Sequence, residues 1–330
     1  TLRVRDENEY EDLLAEWSDL ESGLGMILGN PESVQQFAHR VLQYDRWMQG
    51  LLQRDPDVGL YLLFQLAGNS PVGYSASHAL VCAVLCHLIA SELLLPPRER
   101  DSLVRAALTM NIAMTRVQDE LATQVEKPSP PQQEVIRTHP VKGAMMLGTL
   151  GVQDENWLDV VSRHHDDSEP GVDLRAMSAG RRLTHILHVV DRYAAMISPR
   201  VSRAGRSATD SARTILSNRT DPVGQALVRS VGLCPPGTYV RLDNDELGVV
   251  LRRSSKANQP YVAIVGTASG EVFAAPRLHG TAQGYAHQGR AVHHGGARAA
   301  QPLRDTAAQR APGTGLSVRS FSCPGEIPCP

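Results

Sequence analysis

Seven side chains suited to holding a metal ion or an anionic group stand in a fixed order between His78 and Arg203. His78 opens an apolar run, His139 precedes Pro140, His164 and His165 are adjacent, and Asp191 sits in another apolar segment before Arg200 and Arg203. Imidazoles and carboxylates suit divalent transition ions. Such ions generate a nucleophilic water near neutral pH and polarise phosphoryl oxygens, so a converging set of these residues would support phosphodiester hydrolysis. Guanidinium forks match phosphate oxygens in pairs. Taken singly, a histidine in an apolar helix is more often a satisfied core residue than a ligand; the joint order gives these residues their weight.

Residues so far apart in the chain converge only if several helices pack around a shared centre. Leu13, Leu14, Trp17, Leu20 and Leu24 recur at helical spacing with acidic residues between them. Asn30-Pro31 predicts the start of a second helix, with Val34, Phe37, Val41, Met48 and Leu51 on its inner side. A third is expected over 58–67, ended by Gly68-Asn69-Ser70-Pro71. Residues 75–95 are apolar almost all round, which predicts a helix at the centre of the domain with His78 in its first turns. Further helices are expected over 98–115, up to His139, and over 141–150, 156–165 and 181–197, with an irregular loop from Asp166 to Ser178. After Leu233 the period turns to alternation, which predicts a small antiparallel meander of two or three strands packed on the helices. From Arg277 the composition shifts to alanine, glycine, arginine, proline and histidine without apolar period, and a disordered tail is expected.

These motifs, in this order, resemble the HD superfamily of metal-dependent phosphohydrolases, and within it the HD-GYP branch, which hydrolyses cyclic di-GMP. That branch has a first helix histidine, a His-Asp pair with a lysine after it, a His-Pro, a His-His, a late aspartate, and two basic residues three apart. His78, His139-Pro140, His164-His165, Asp191 and the pair Arg200 and Arg203 match. The resemblance covers about residues 70–232. It implies a mainly α fold, an HD-domain-like helical bundle carrying the β-meander and the tail. It implies a divalent metal, iron, manganese or similar, if any, held by His78, His139, His164, His165 and Asp191 with Asn111 beside them, and phosphate contacts from Arg200 and Arg203.

The departures are equally specific. Where the branch has Leu-Leu-His-Asp-Ile-Gly-Lys, this chain has Leu108-Thr109-Met110-Asn111-Ile112-Ala113-Met114, and no Gly-Tyr-Pro follows His165. Asn111 offers a neutral oxygen where a bridging anion stood, and Met114 replaces the lysine. Tyr74 stands where some members carry a glutamate for a third metal. The resemblance therefore implies a degenerate domain in bacterial cyclic di-GMP signalling, a nucleotide- or protein-binding regulatory module with weak or no hydrolysis. The alternative is an active cyclic di-GMP phosphodiesterase using a reduced ligand set. His185 and His188 read as polar-edge residues, and Cys82 and Cys86 as buried thiols, although all four fall at spacings that could bring them near the same pocket.

The chain has 330 residues and 42% apolar content, enough for a substantial core, while 5% aromatic content leaves most packing to aliphatic side chains. Net charge is -2 and the pI near 6.6, which offers no whole-chain ground for a nucleic-acid or anionic-membrane partner. The arginine-rich tail lacks the interleaved aromatics of a stacking surface. The apolar run Ala79–Ala90 falls short of the ~20 residues of a bilayer span, so no membrane helix is expected. An acidic start without a signal-like apolar stretch makes a cytoplasmic location the expectation. Four units are expected: 1–70 helical, 71–232 the HD-GYP-like domain, 233–276 the meander and 277–330 the tail.

Overall fold

The computed structural model describes residues 7–69, 72–166, 173–198, 200–201, 206, 208–217, 221–242, 245–254, 259–267 and 271–280. The helical layer begins with α1 (Glu7–Gly29), α2 (Phe37–Arg54), α3 (Pro56–Asn69) and α4 (Tyr74–Glu92). It continues through α5 (Pro97–Thr109), α6 (Thr115–Thr123), α7 (Pro130–Thr149), α8 (Glu155–Arg163), α9 (Ala179–Ile197), α10 (Ala208–Ile215) and α11 (Pro222–Val231).

Helix α4 is the axle of this bundle: it touches α1, α3, α5, α6, α9 and α11. Every residue from Ser75 to Cys86 is buried, as an all-round apolar helix requires. By length and composition alone α4 would pass as a membrane span, yet most of it is buried inside the protein. Its apolarity is the core. Aliphatic side chains fill most of the interior, with Trp17, Phe37, Trp157 and Tyr193 as the large buried aromatics.

Three expectations about helices are corrected. Asn30-Pro31 opens only the single 3-10 turn Pro31–Ser33; Gln36, in the left-handed region at φ 54°, separates that turn from α2. The helix expected over 98–115 stops at Thr109, and Ile112–Met114 form a 3-10 turn before α6. That turn packs against α7 near Gly143. Finally, the two helices expected around His139 are one, because α7 runs straight through Pro140.

The C-terminal meander has four antiparallel strands in sequential order, β1 (Tyr239–Arg241), β2 (Leu247–Arg252), β3 (Tyr261–Gly266) and β4 (Val272–Gly280). The last strand carries the sheet beyond 276, where the sequence had placed the start of a tail; the rest of that tail, 281–330, lies outside the described residues. Cys234, Val240, Val250, Val262 and Ile264 form a small core of their own. Charged contacts tie the sheet to the helices: Arg252 Nη2 donates to Asp55 Oδ2 (2.6 Å), Arg253 Nε to Asp57 Oδ1 (2.6 Å), and Arg253 also reaches the Ser230 carbonyl.

Candidate metal centre

Pro140 explains how His139 is aimed. A proline inside a helix has no N–H for the carbonyl four residues back, which here is Ile136. That freed oxygen accepts from His139 Nδ1 at 2.6 Å. The imidazole proton is thereby fixed on Nδ1, and Nε2 points into the bundle as a bare lone pair. His164, just past the end of α8, repeats the arrangement: its Nδ1 donates to the Val161 carbonyl at 2.8 Å. The two Nε2 atoms then meet at 3.2 Å.

Two lone pairs facing each other at that distance repel unless a proton or a cation stands between them. A proton is disfavoured, because burial pushes His164 down to about 3 and His139 down to about 4, despite the opposing pull of Asp191 and the backbone carbonyls. A metal ion fits. Nitrogens each ~2.0–2.1 Å from one ion lie roughly 3–3.4 Å apart, depending on the coordination geometry. Nδ1 bonded to a carbonyl is also the usual outer support of a ligating histidine. His165 completes the group, its ring 4.2 Å from that of His164 and 5.1 Å from that of His139, on the solvent side. One ligand atom from each of these histidines falls within 4.8 Å of the others.

A second trio stands beside the first. His78, on α4, contacts Asp191 Oδ1 through Nε2 at 2.8 Å, and Cys82 Sγ lies 3.6 Å from the same nitrogen. These three ligand atoms also fall within 4.8 Å of one another. Asp191 links the trios electrostatically. Burial opposes its charge, but the hydrogen bond from His78 and the fields of His78, His164 and His165 outweigh burial and hold its carboxyl well below the usual range. His139, His164 and His165 thus form one trio, and His78 and Asp191 belong to the other.

Other expected residues fall differently. Asn111 sits at the turn after α5, and among the described residues no hydrogen bond joins its side chain to either trio; its carbonyl accepts from Met114 N at 2.8 Å. Arg200 lies over the Tyr74 ring, 4.7 Å from its centroid, and donates Nη2 to the Tyr74 hydroxyl at 3.0 Å. Tyr74 in turn stacks on His78 at 5.4 Å, so Arg200 stands at the rim of the pocket. Among the described residues its buried Nε has no partner. Arg203 lies outside the described residues, as does the loop 167–172. His185 faces away, bonded to Asp221 Oδ1 at 3.0 Å, whereas His188 Nδ1 backs the pocket by meeting the His164 carbonyl at 3.2 Å. Helical spacing had signalled both Cys82 and His188; it carried no sign of which would face the centre.

The sequence is 29% identical over 194 residues to cyclic di-GMP phosphodiesterase PA4108 of Pseudomonas aeruginosa, a match covering 56% of this chain and 46% of that protein. This likeness, to a protein named as a cyclic di-GMP phosphodiesterase, supports the resemblance to the HD-GYP branch. It spans about half the length of the curated relative it matches. A solved structure of Bd1817, a HDG"Y"P protein from Bdellovibrio bacteriovorus, is similar at a TM-score of 0.49 and 14% identity, over 68% of this chain and 72% of that one. No family model matches the chain. In this chain Met110, which is 1% exposed, and Asn111 stand where the HD-GYP branch has its name-giving His-Asp pair. Met114, in place of the lysine, is buried as well.

Proposed function

We propose that this chain is an HD-GYP-type domain of bacterial cyclic di-GMP signalling whose pocket holds a divalent metal, and that it acts as a nucleotide- or protein-binding regulatory module with weak or no hydrolysis. The observation that carries this reading is the meeting of His139 Nε2 and His164 Nε2 at 3.2 Å with both Nδ1 atoms committed to backbone carbonyls. In it, His139, His164, His165 and Asp191 hold one iron, manganese or similar ion, with His78 fixing Asp191. When bound, such an ion activates water and polarises a phosphoryl oxygen.

The chain's own groups have separable tasks. The neutral imidazoles offer lone pairs, and Asp191 supplies the anion that offsets the ion's charge in a buried site. Arg200 and Arg203 are proposed to meet phosphate oxygens. The weak turnover rests on Met110, Asn111 and Met114: a thioether, an amide and a second thioether supply neither a bridging anion nor a phosphate-facing cation. Cyclic di-GMP as the ligand is supported by the activity named for the Pseudomonas relative. That name also favours a second reading, an active phosphodiesterase on the reduced ligand set.

Metal analysis of protein purified without chelator, paired with cyclic di-GMP binding and turnover assays in added Mn²⁺ or Fe²⁺, tests the proposal. The expected result is bound metal that His164→Ala removes, dinucleotide binding that Arg200→Ala weakens, and little turnover. Brisk turnover abolished by His164→Ala would give the case to the second reading. Absence of both metal and dinucleotide binding would overturn both.

A further inference from the structure

We infer that Tyr74, held at the start of α4 by Asp119, is a positioning residue that fixes the Arg200 guanidinium for an anionic ligand, with α6 as the strap that binds both partners. This rests on the phosphate role proposed for Arg200 above and adds to it the residues that set that arginine in place.

Helix α6 reaches each partner separately. At the start of α4, Ser75 gives its backbone N–H to Asp119 Oδ1 at 2.7 Å and its hydroxyl to Asp119 Oδ2 at 2.9 Å. The first N–H groups of a helix lack intrahelical acceptors, and a carboxylate is favoured there. Asp119 therefore anchors the turn that carries Tyr74. The chain enters this turn through Gly73 at φ 134°, where a Cβ would stand 3.3 Å from both Asp119 oxygens. One turn along α6, the Ala122 carbonyl accepts from Val201 N at 2.9 Å, which holds the backbone next to Arg200. The two arms then meet. Arg200 Nη2 donates to the Tyr74 hydroxyl at 3.0 Å, and the guanidinium carbon lies 4.7 Å from the ring centroid, within cation–π range.

The pair leaves the arginine's charge uncancelled. Burial pushes the Tyr74 phenol up against the pull of Arg200, so a neutral hydroxyl, not a phenolate, meets the guanidinium. Among the described residues no carboxylate pairs with Arg200, and its buried Nε lacks an acceptor. A cation held in place with a donor open suits a phosphate oxygen. Holding it beforehand also spares the rotamer freedom that a loose arginine loses on binding. The stack of Tyr74 on His78, 5.4 Å between centroids and 13° from parallel, sets this donor beside the second trio.

Cyclic di-GMP titrations of the full chain in added Mn²⁺, together with ¹⁵N spectra of arginine-labelled protein, test this. Arg200→Ala identifies the Arg200 Nε–H signal by its loss. The signal is expected in the wild type and should vanish by exchange with water in Tyr74→Leu and Asp119→Ala, while Asp119→Asn, which can still accept from Ser75 N, keeps it. Tyr74→Leu should weaken dinucleotide binding about tenfold and add nothing in an Arg200→Ala background. Because Asp119→Ala can loosen α4 at large, Tyr74→Phe, which keeps the ring and loses only the hydroxyl, gives the milder test: binding should weaken several-fold with bound metal unchanged. A signal indifferent to Tyr74→Leu, an unchanged affinity in that variant, or a loss equally large with and without Arg200 overturns the positioning role and leaves the phosphate reading standing. Wild-type binding by Arg200→Ala, or no dinucleotide binding at all, overturns it together with that reading.

Discussion

Two buried polar clusters flank α4, and they are built on opposite plans. Toward α2 and α5, Arg100 gives Nη2 to Asp45 Oδ1 (2.8 Å), Nη1 to Asp45 Oδ2 and Asp101 Oδ1 (2.9 Å each), and Nε to His87 Nδ1 (2.9 Å). Each nitrogen of that guanidinium has an acceptor, and its charge meets a carboxylate 1% exposed. Toward α7, α8 and α9, the imidazoles of His139 and His164 present lone pairs to each other, and His78 Nδ1 has no partner among the described residues. Burial is similar in both. The first cluster satisfies itself and serves the fold; the second leaves its valences open to something the chain does not supply.

Breaking each cluster separates these roles. The largest effect is expected for Asp45→Ala, which leaves Arg100 buried without its carboxylate and should cost ~3–5 kcal/mol, read as a lower urea midpoint. That loss should be the same with or without chelator. Asp191→Asn should cost less stability in metal-free protein, yet abolish the metal-dependent gain, which for the wild type amounts to ~2.7 kcal/mol at a free metal concentration of ~100 times Kd. Equal metal responses in the two variants would erase the contrast between the clusters.

Acid provides the next test. His139, His164 and His87 all have folded pKa values depressed below the ordinary 6.5, to about 4, about 3 and about 4, burial being the leading cause of each. Between 6.5 and those values the unfolded chain binds protons that the folded chain refuses, so stability falls as pH falls through this window. A tenfold difference in proton affinity between the folded and unfolded chain corresponds to ~1.4 kcal/mol. With the share of the partly exposed His87 reduced by solvent screening, the combined loss is on the order of several kcal/mol. Urea midpoints measured across the window should flatten in His164→Ala, and the metal-bound protein should show a steeper slope because protonated imidazoles cannot ligate. An unchanged slope in His164→Ala would place the acid sensitivity elsewhere.

The smallest effect is the most pointed. Pro140→Ala returns an N–H that competes with His139 Nδ1 for the Ile136 carbonyl. Loosening this outer support should weaken metal binding ~10–100-fold, measured by competition with a chelating dye, while folding stability holds or rises as the helix regains its bond. Unchanged affinity would show that His139 is aimed by packing alone.

Much of this was legible in the sequence, for particular reasons. The all-round apolar run after Tyr74 could only be a buried helix, and it is α4. The order His78, His139-Pro140, His164-His165, Asp191 pointed to a common pocket; the structure gathers His139, His164 and His165 in one group and His78 and Asp191, with Cys82, in another. The break at 110–114 was hidden because the apolar spacing does not stop there: Leu108 and Ile112 are four apart and keep a helical apolar step across it. Pro140 read as a boundary, since local rules end helices near proline, whereas packing on both sides carries α7 across it. The fourth strand was missed because its composition already resembles the segment that follows it.

The sequence by itself determined which chemical groups are present and their order along the chain: neutral nitrogen donors, a late carboxylate at Asp191, a thiol one turn after the first histidine, and Met110-Asn111 in place of a His-Asp pair. These are matters of identity and local period. Only the tertiary structure decided which nitrogen of each ring faces inward, that Tyr74 lies between Arg200 and His78, and that Cys82 shares a corner with Asp191. Tautomers and ligand corners are set by carbonyls and side chains from other helices, and a linear pattern holds no distance between them.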